Sequence, residues 1–205
     1  MYLVKTPRLL KTLYAPKGIW ECRSKDTVYL TFDDGPHPTA TPFVLEQLKK
    51  HNAKASFFCV GNNVAQYPII YQRLINEGHL VANHTYHHIN GWQHSCEDYI
   101  TDVQKAATLI KSNFFRPPYG KIKPSQFEQL KTLGYQVVMW DLLSGDFDTK
   151  LSPEKCWKQL KKHLRPGSIV VFHDSAKAFE RLRYVLPLTL AYCDEKKWFL
   201  KQLEE

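Results

Sequence analysis

The chain has no CxxC pair and an odd number of cysteines: Cys22, Cys59, Cys96, Cys156 and Cys193. That argues against a Cys-rich zinc site and against a disulfide framework, and leaves reduced, mostly packed thiols. No stretch approaches the roughly 20 consecutive apolar residues of a membrane span. The N-terminus, from Met1 to Arg8, holds no apolar run of signal-peptide length. The expectation is therefore a cytoplasmic chain without a transmembrane segment. Internal repeats and low-complexity linkers are also missing, so the 205 residues read as one domain of α/β size. Acidic residues are outnumbered, 20 against 28 basic ones, for a net charge of +8. Such a balance leans towards an anionic surface or substrate, or nucleic acid. The basic residues are scattered, however, and the small cluster of Lys158, Lys161, Lys162 and Arg165 reads as a solvated helix face. No nucleic-acid partner is expected. The sequence leaves the oligomeric state open.

What is present is a large apolar reserve, 43% hydrophobic and 13% aromatic, enough for a sizeable packed core. Residues 1–26 form an irregular leader that mixes Leu9, Leu10, Leu13, Tyr14 and Trp20 with Lys and Pro. It is expected to pack over the main domain or its rim, with a short basic amphipathic membrane contact as a second reading. Residues 27–205 form the single domain, where strand and helix signals alternate. Strands are expected at about 27–32, 55–60, 79–82, 113–115, 135–140, 168–172 and 197–200. The first helix is expected to take Thr41 as its N-cap and Pro42 as its first residue. A second, marked by Ile69, Ile70, Leu74 and Ile75, stops at Gly78. Ser95-Cys96-Glu97-Asp98 resembles a capping box. Ser125 and Ser152-Pro153 open two further helices, and a last one lies around 179–194. Such β-then-α alternation implies parallel strands joined by right-handed crossovers. About seven units in this length fit a small, incomplete, TIM-like (β/α) barrel, with a doubly wound open sheet as the alternative. Both put the active site at the carboxyl ends of the strands.

Chemistry-bearing residues gather at those ends. Asp33 and Asp34 follow the first strand, and adjacent side chains of an extended chain point to opposite faces. Asn83-His84-Thr85-Tyr86-His87-His88 follows the third, and Arg116-Pro117-Pro118-Tyr119-Gly120 the fourth. Asp141 and then Ser144-Gly145-Asp146-Phe147 follow the fifth, and His173-Asp174 the sixth. On a helical turn His84 and His88 would share a face, as two ligands of a divalent metal do. His84 and His87 would share one too, so spacing does not choose between His87 and His88. A carboxylate from another strand end would complete a two-histidine, one-carboxylate site with open positions, for which zinc is the default and other first-row ions are allowed. The second carboxylate then suits a base, Arg116 its ionised form, and His173 an acid. Unaided, these residues point to metal-assisted hydrolysis of an unspecified bond. Among the remaining candidates, His37 reads as a turn histidine. Asp174 reads equally as a helix start or as support for the site. Trp92, Trp140 and Tyr86 are candidates for stacking on sugar rings, with core packing preferred for Trp140.

In order, these motifs resemble those of the polysaccharide deacetylases of carbohydrate esterase family 4, the NodB-homology domain. Thr31-Phe32-Asp33-Asp34-Gly35-Pro36 matches the first motif and His84-Thr85-Tyr86-His87-His88 the second, which picks His88. Arg116-Pro117-Pro118-Tyr119 matches the third, while Ser144-Gly145-Asp146-Phe147 and Val171-Phe172-His173 resemble the fourth and fifth. The resemblance covers about residues 26–203. It implies a distorted (β/α) barrel and hydrolysis of N-acetyl groups on an N-acetylated glycan: peptidoglycan, a chitin-like polymer or a surface polysaccharide. Asp34, His84 and His88 would hold the metal, and Asp33 would be the base, oriented by Arg116. His173 would protonate the leaving amine, tuned by Asp146, and the Tyr119 N–H would help bind the oxyanion. Phe147, Val171 and Pro118 would contact substrate; Phe147 stands where the family usually has Trp, and Val171 where it usually has Leu. No acid stands at Leu143, where relatives often carry Asp. A hydrolase of a non-sugar C–N bond and a catalytically silent carbohydrate binder are the competing readings.

Overall fold

The computed structural model describes residues 3–204; Met1 and Tyr2 of the leader, and Glu205, lie outside the described residues. Seven parallel strands form one curled sheet: β1 (Thr27–Asp33), β2 (Ser56–Cys59), β3 (Leu80–Asn83), β4 (Phe114–Phe115), β5 (Gln136–Val137), β6 (Leu142–Leu143) and β7 (Ile169–His173). Their spatial order is β5-β4-β3-β2-β1-β7-β6, and a short β8 (Phe199–Lys201) pairs with the start of β1. The helices between them are α2 (Ala40–Lys50), α3 (Gly61–Gln66), α4 (Pro68–Asn76), α5 (Cys96–Ala107), α6 (Pro124–Thr132), α7 (Pro153–His163) and α8 (Phe179–Glu195); α1 (Arg8–Tyr14) precedes them all. The path ends at β5 and β6, which do not pair, so the result is a half-barrel, a distorted (β/α) barrel.

Alternation along the strands divides the core in two. Phe58, Ala82, Phe114, Val138 and Ile169 fill the barrel interior with Leu203. Val28, Leu30, Phe32, Phe57, Val170 and Phe172 face the helices, where they meet Val44 and Leu48 of α2 and Leu186 and Leu190 of α8. Phe32, Phe57 and Phe172 are partners in register on three neighbouring strands, and their rings stack at 5.0 and 5.7 Å. Each such buried ring is worth roughly 1.5–3 kcal/mol, and stacking adds about 0.5–1.5 kcal/mol per pair. This ladder fixes the relative height of three strand ends. One residue on, Asp33 lies in register with His173.

The leader closes the open edges. The Ile19 N–H donates to the Val137 carbonyl (2.9 Å) and the Met139 N–H to the Ile19 carbonyl (2.7 Å) on one side. On the other, the Leu143 N–H donates to the Val4 carbonyl (2.8 Å) and the Thr6 N–H to the Asp141 carbonyl (2.9 Å). Edge groups that would otherwise seek another strand are thereby used.

Several boundaries differ from expectation. The stretch 135–140 is not one strand: the chain leaves β5 after Val137 and re-enters the sheet on its far side as β6. Asp141 therefore opens β6 beside Ser168, at the amino ends of the strands, and is not a rim residue. It is fully buried and bonded to Lys11 of α1 (2.7 Å), to Ser168 (3.1 Å) and to Arg165 (3.3 Å). Glu21 completes the cluster through Lys11 (2.9 Å) and Arg165 (2.7 Å). Helix α2 starts at Ala40, so Pro42 is its third residue and not its first. His37 Nδ1 accepts from the Thr39 and Ala40 N–H groups, which frees Thr41 to act elsewhere. The helix marked by Ile69, Ile70, Leu74 and Ile75 is α4, and the short α3 before it was not expected; α6 starts at Pro124 with its entry held by a bond from the Lys123 N–H to Gln126 (2.9 Å).

Replacing Asp141 by Ala leaves Lys11 and Arg165 without their buried counter-charge. We expect a loss of about 2–3 kcal/mol, seen by calorimetry as a melting temperature lower by roughly 5–10 °C. An unchanged melting temperature would show that the cluster contributes nothing to holding the leader.

Candidate active site

β1 delivers both acidic residues. Asp33, the last residue of the strand, points into the barrel and is buried; Asp34 turns the chain with φ 81°, a left-handed conformation that a short polar side chain tolerates. β4 delivers Arg116, whose inward direction matches that of Phe114. The guanidinium is wholly buried and lies 4.0 Å over the Phe58 ring. It donates to Asp33 Oδ1 (2.7 Å), Thr31 Oγ1 (2.7 Å), the Met139 carbonyl (2.8 Å) and the Val138 carbonyl (3.3 Å). Burial lowers the Arg116 pKa and Asp33 opposes that; Arg stays protonated in proteins, so Asp33 faces a fixed cation.

The histidine loop after β3 is not a helical turn. Thr85 (φ 63°) and His88 (φ 56°) are both left-handed, and Asn83 anchors the loop through the Thr85 N–H (2.9 Å) and the Val103 carbonyl of α5 (3.0 Å). His84 Nδ1 lies 2.7 Å from the Arg116 carbonyl. A carbonyl only accepts, so Nδ1 carries the proton and Nε2 presents a lone pair. That lone pair is 3.9 Å from Asp34 Oδ1, and His88 Nε2 is 3.1 Å from the same oxygen. One donor atom each from Asp34, His84 and His88 lies within 4.8 Å of the others. His87 is turned away: its Nδ1 bonds Asp102 Oδ1 while the Tyr86 and His87 N–H groups donate to Asp102 Oδ2 (2.8 and 2.9 Å). The choice of His88 over His87, which the motif had suggested, thus has a physical basis in Asp102.

The protonation states suit a divalent cation. Burial pushes His84 down to about 4, so it is a neutral donor. Burial alone would raise the Asp34 carboxyl, but His88, His173 and His84 outweigh it and hold it well below the usual range. The side chains of Asp34 and His88 remain 29% and 25% exposed, which leaves the outer side of the donor set open. Two imidazole nitrogens and one carboxylate with open positions fit a first-row metal.

Across the rim, His173 at the end of β7 bonds Asp146 twice. Its Nδ1 is 2.8 Å from Asp146 Oδ1, and its N–H donates to Oδ2 (2.8 Å). Burial disfavours the charged ring, but Asp146, with Asp34 and Asp33 behind it, carries His173 up to about 9. Phe147 packs edge-on against this ring at 5.1 Å. Val171 is buried one pleat below His173 on the same face, so it is floor and not wall. Tyr119 has φ 59°, its ring lies against His88 (4.7 Å), and its N–H is used by neither hydrogen bond of the Pro118–Gly120 turn. Pro118 is buried beneath it. Cavities of 330 and 320 Å³ flank His88, the first reaching Asn90, His94 and Lys121, the second Asn62, Asn63 and His87. Trp92 is exposed beside the first, 5.2 Å below Lys121, whereas Trp140 packs under Gly120. Tyr86, within the histidine loop, packs on Gly61 at the start of α3 and is covered by Lys105 (4.0 Å).

Two supporting residues have no role assigned from the sequence, Asp102 and Arg181, and a third, Asp174, reads there equally as a helix start or as support for the site. Asp102 and Arg181 each stand on the apolar face of a helix, between Tyr99 and Val103 and beside Leu182; a charge at such a position is the signal that marks them. Arg181 Nε donates to the Asp146 carbonyl (2.6 Å) and so fixes the residue that orients His173. Asp174 accepts from the Gly35 N–H (3.1 Å) and from the Thr41 hydroxyl (2.5 Å), clasping the Asp33-Asp34 turn. Burial pushes its carboxyl up to about 8 against the pull of those bonds.

A family model described as polysaccharide deacetylase matches residues 21–138. A peptidoglycan-N-acetylglucosamine deacetylase of Bacillus cereus is 34% identical over 171 residues, covering 80% of this chain and 61% of that one. A chitooligosaccharide deacetylase of Azorhizobium caulinodans is 29% identical over 187 residues, covering 80% and 89%. The chain thus spans about three fifths of the first relative's length and most of the second's. Among solved structures, the Bc1960 peptidoglycan N-acetylglucosamine deacetylase bound to an N-hydroxybenzamide superposes with a TM-score of 0.85 at 29% identity, covering 91% of each chain. The family match ends before Asp146 and His173, and the structural superposition extends the likeness over nine tenths of the chain. This chain belongs to the polysaccharide deacetylases of carbohydrate esterase family 4, hydrolases that act on carbon–nitrogen bonds.

Proposed function

We propose that the chain removes N-acetyl groups from amino-sugar residues of a glycan, releasing acetate and leaving a free amine. The observation that supports this most is the register of Asp33 with His173: a carboxyl group paired with a buried guanidinium and an imidazole held protonated stand on adjacent strands beside the Asp34/His84/His88 donor set. The names of the relatives support peptidoglycan or chitooligosaccharides as substrates. The cavities on either side of His88 suit a chain that continues past the reacting sugar.

Asp34, His84 and His88 would hold the metal, and zinc suits this donor set best. When bound it supplies a Lewis acid that lowers the pKa of water and polarises the acetyl carbonyl. Asp33 takes a proton from the attacking water as the C–O bond forms, and Arg116 orients its carboxylate. The Tyr119 N–H, left out of its own turn, donates to the oxygen that gains charge. His173 gives its proton to the nitrogen as the C–N bond breaks, so acetic acid and a free amine leave, Asp33 is left protonated and His173 neutral, and the acid ionises to acetate in water. Phe147 and Val171 bound the acetyl methyl. A silent carbohydrate binder would need none of Asp33, Arg116 and the His173–Asp146 pair, which act on turnover and not on affinity.

Three outcomes test this. Zinc titrated calorimetrically into metal-stripped protein binds one-to-one; Asp34→Ala, His84→Ala and His88→Ala each lose that binding, whereas His87→Ala keeps it. Retention by the His88 variant would mean that another ligand set is used. Zinc-loaded protein releases acetate from peptidoglycan fragments or chitooligosaccharides, and Asp33→Asn slows this by about 10²–10⁴-fold; no acetate from either class with zinc bound would sink the reading. Activity needs protonated His173, raised to about 9, and so falls as pH rises through that value. Asp146→Asn removes the main raising charge and moves this basic limb to lower pH; an unmoved limb would assign the acid elsewhere.

A further inference from the structure

The leader helix α1 is built inside out. It has no buried residue, and its two inward side chains are polar. Lys11 reaches Asp141 and Glu21, while the Tyr14 hydroxyl donates to the Gly120 carbonyl (2.9 Å) and accepts from the Ile122 N–H (2.9 Å). Leu9 and Leu13 each stand two residues from Lys11, about 160° round the helix from it. They are 70% and 73% exposed, with Leu10 (43%) beside them and Leu3 (51%) just upstream. Single exposed leucines are ordinary, but three on the outer face of one seven-residue helix make a patch.

The exposed charges that flank these leucines in sequence, Lys5 and Arg8, are cations, and both Lys5 and Lys162 lie close enough to His163 to act on it electrostatically. Lys11 and Arg165 are balanced by Glu21 and Asp141, so that cluster adds no net charge to the cations beside the helix. An apolar helix face flanked by cations is complementary to one kind of surface, the interface of a bilayer with anionic headgroups.

We propose that α1 docks the protein reversibly on anionic membranes, with Leu9, Leu10 and Leu13 entering the acyl boundary and Lys5, Arg8 and Lys162 meeting the headgroups. The docked helix adjoins the substrate rim, since Tyr14 is bonded to the Tyr119–Gly120 turn and accepts a bond from Trp92 (3.1 Å). Attachment of this size is reversible, because a short helix buries far less apolar surface than a spanning one.

The test is co-sedimentation of the full chain with phosphatidylcholine vesicles, with and without phosphatidylglycerol. Binding to the anionic vesicles is expected, weakened by added salt and reduced roughly tenfold or more by Leu9→Ser, Leu10→Ser and Leu13→Ser together. None of the three leucines is buried or belongs to a core cluster, so the melting temperature and zinc binding are expected to stay close to those of the parent. The proposal is overturned if the parent does not sediment with anionic vesicles or if the triple variant sediments equally well. It is also overturned if light scattering shows a dimer that the triple variant turns into a monomer, because a second copy then covers the leucines. None of these readings uses deacetylase activity, so the proposal stands or falls apart from the assignment of substrate.

Discussion

A guanidinium with no exposure to water sits at the centre of this barrel, and the site depends on how it is satisfied. Arg116 arrives on β4 among Phe58, Phe114 and Val138, where an unpaired charge would cost several kcal/mol. Its hydrogen bonds do more than offset that cost. Two of them take up the Val138 and Met139 carbonyls where β5 stops and the chain leaves for the other edge. Two others fix Thr31 and Asp33 on β1. Its own carbonyl sets the tautomer of His84. One residue therefore determines the position of the proposed base, the orientation of a metal ligand and the end of a strand. Removing one member of such a buried pair typically costs about 3–5 kcal/mol, a large part of the roughly 5–15 kcal/mol that holds a domain folded.

The rim carries two carboxylate–cation pairs of similar geometry and opposite use. Asp33 faces a cation that does not release its proton, so the pair offers a permanent acceptor. Asp146 faces an imidazole that titrates, raised to about 9, so the pair offers a loaded donor. The acid and base assignments follow from the cation each carboxylate meets and not from the carboxylates themselves. Strand register then sets the two pairs side by side, since Asp33 and His173 are partners across β1 and β7.

Much of this was legible in the sequence, because strand ends in a parallel barrel are marked by where apolar runs stop. Asp33, Asp34, Arg116 and His173 each directly follow or end such a run, and the structure brings them to one rim. Asp141 was misread for the same reason: Tyr135 to Trp140 is an apolar run that looks like one strand, yet only two residues of it pair as β5. A two-residue strand has no period to detect, and the jump from one sheet edge to the other depends on partners more than 100 residues away, such as Lys11. The geometry of the histidine loop was equally hidden. Its i, i+4 spacing suggested a helical turn, whereas two left-handed residues and the carboxylate of Asp102 set it instead. Asp102 lies on another element, and nothing near His87 announces it.

The leader joins stability to surface character. A half-barrel has two open edges, and residues 4–19 cover both with backbone pairing, which any sequence could supply. What fixes α1 in rotation is Lys11, drawn inward by a carboxylate that is itself wholly buried at the foot of β6. With 3.6 residues per turn, a lysine held inward forces residues two away to face outward. At those positions the chain has leucine and not a polar residue. Had the helix been rotated to bury its leucines, Asp141 would be left inside the protein with no lysine, at a cost above that of exposing a few apolar side chains. The apolar outer face is thus a consequence of how the barrel edge is closed, and its use at a surface requires no further adaptation of the fold.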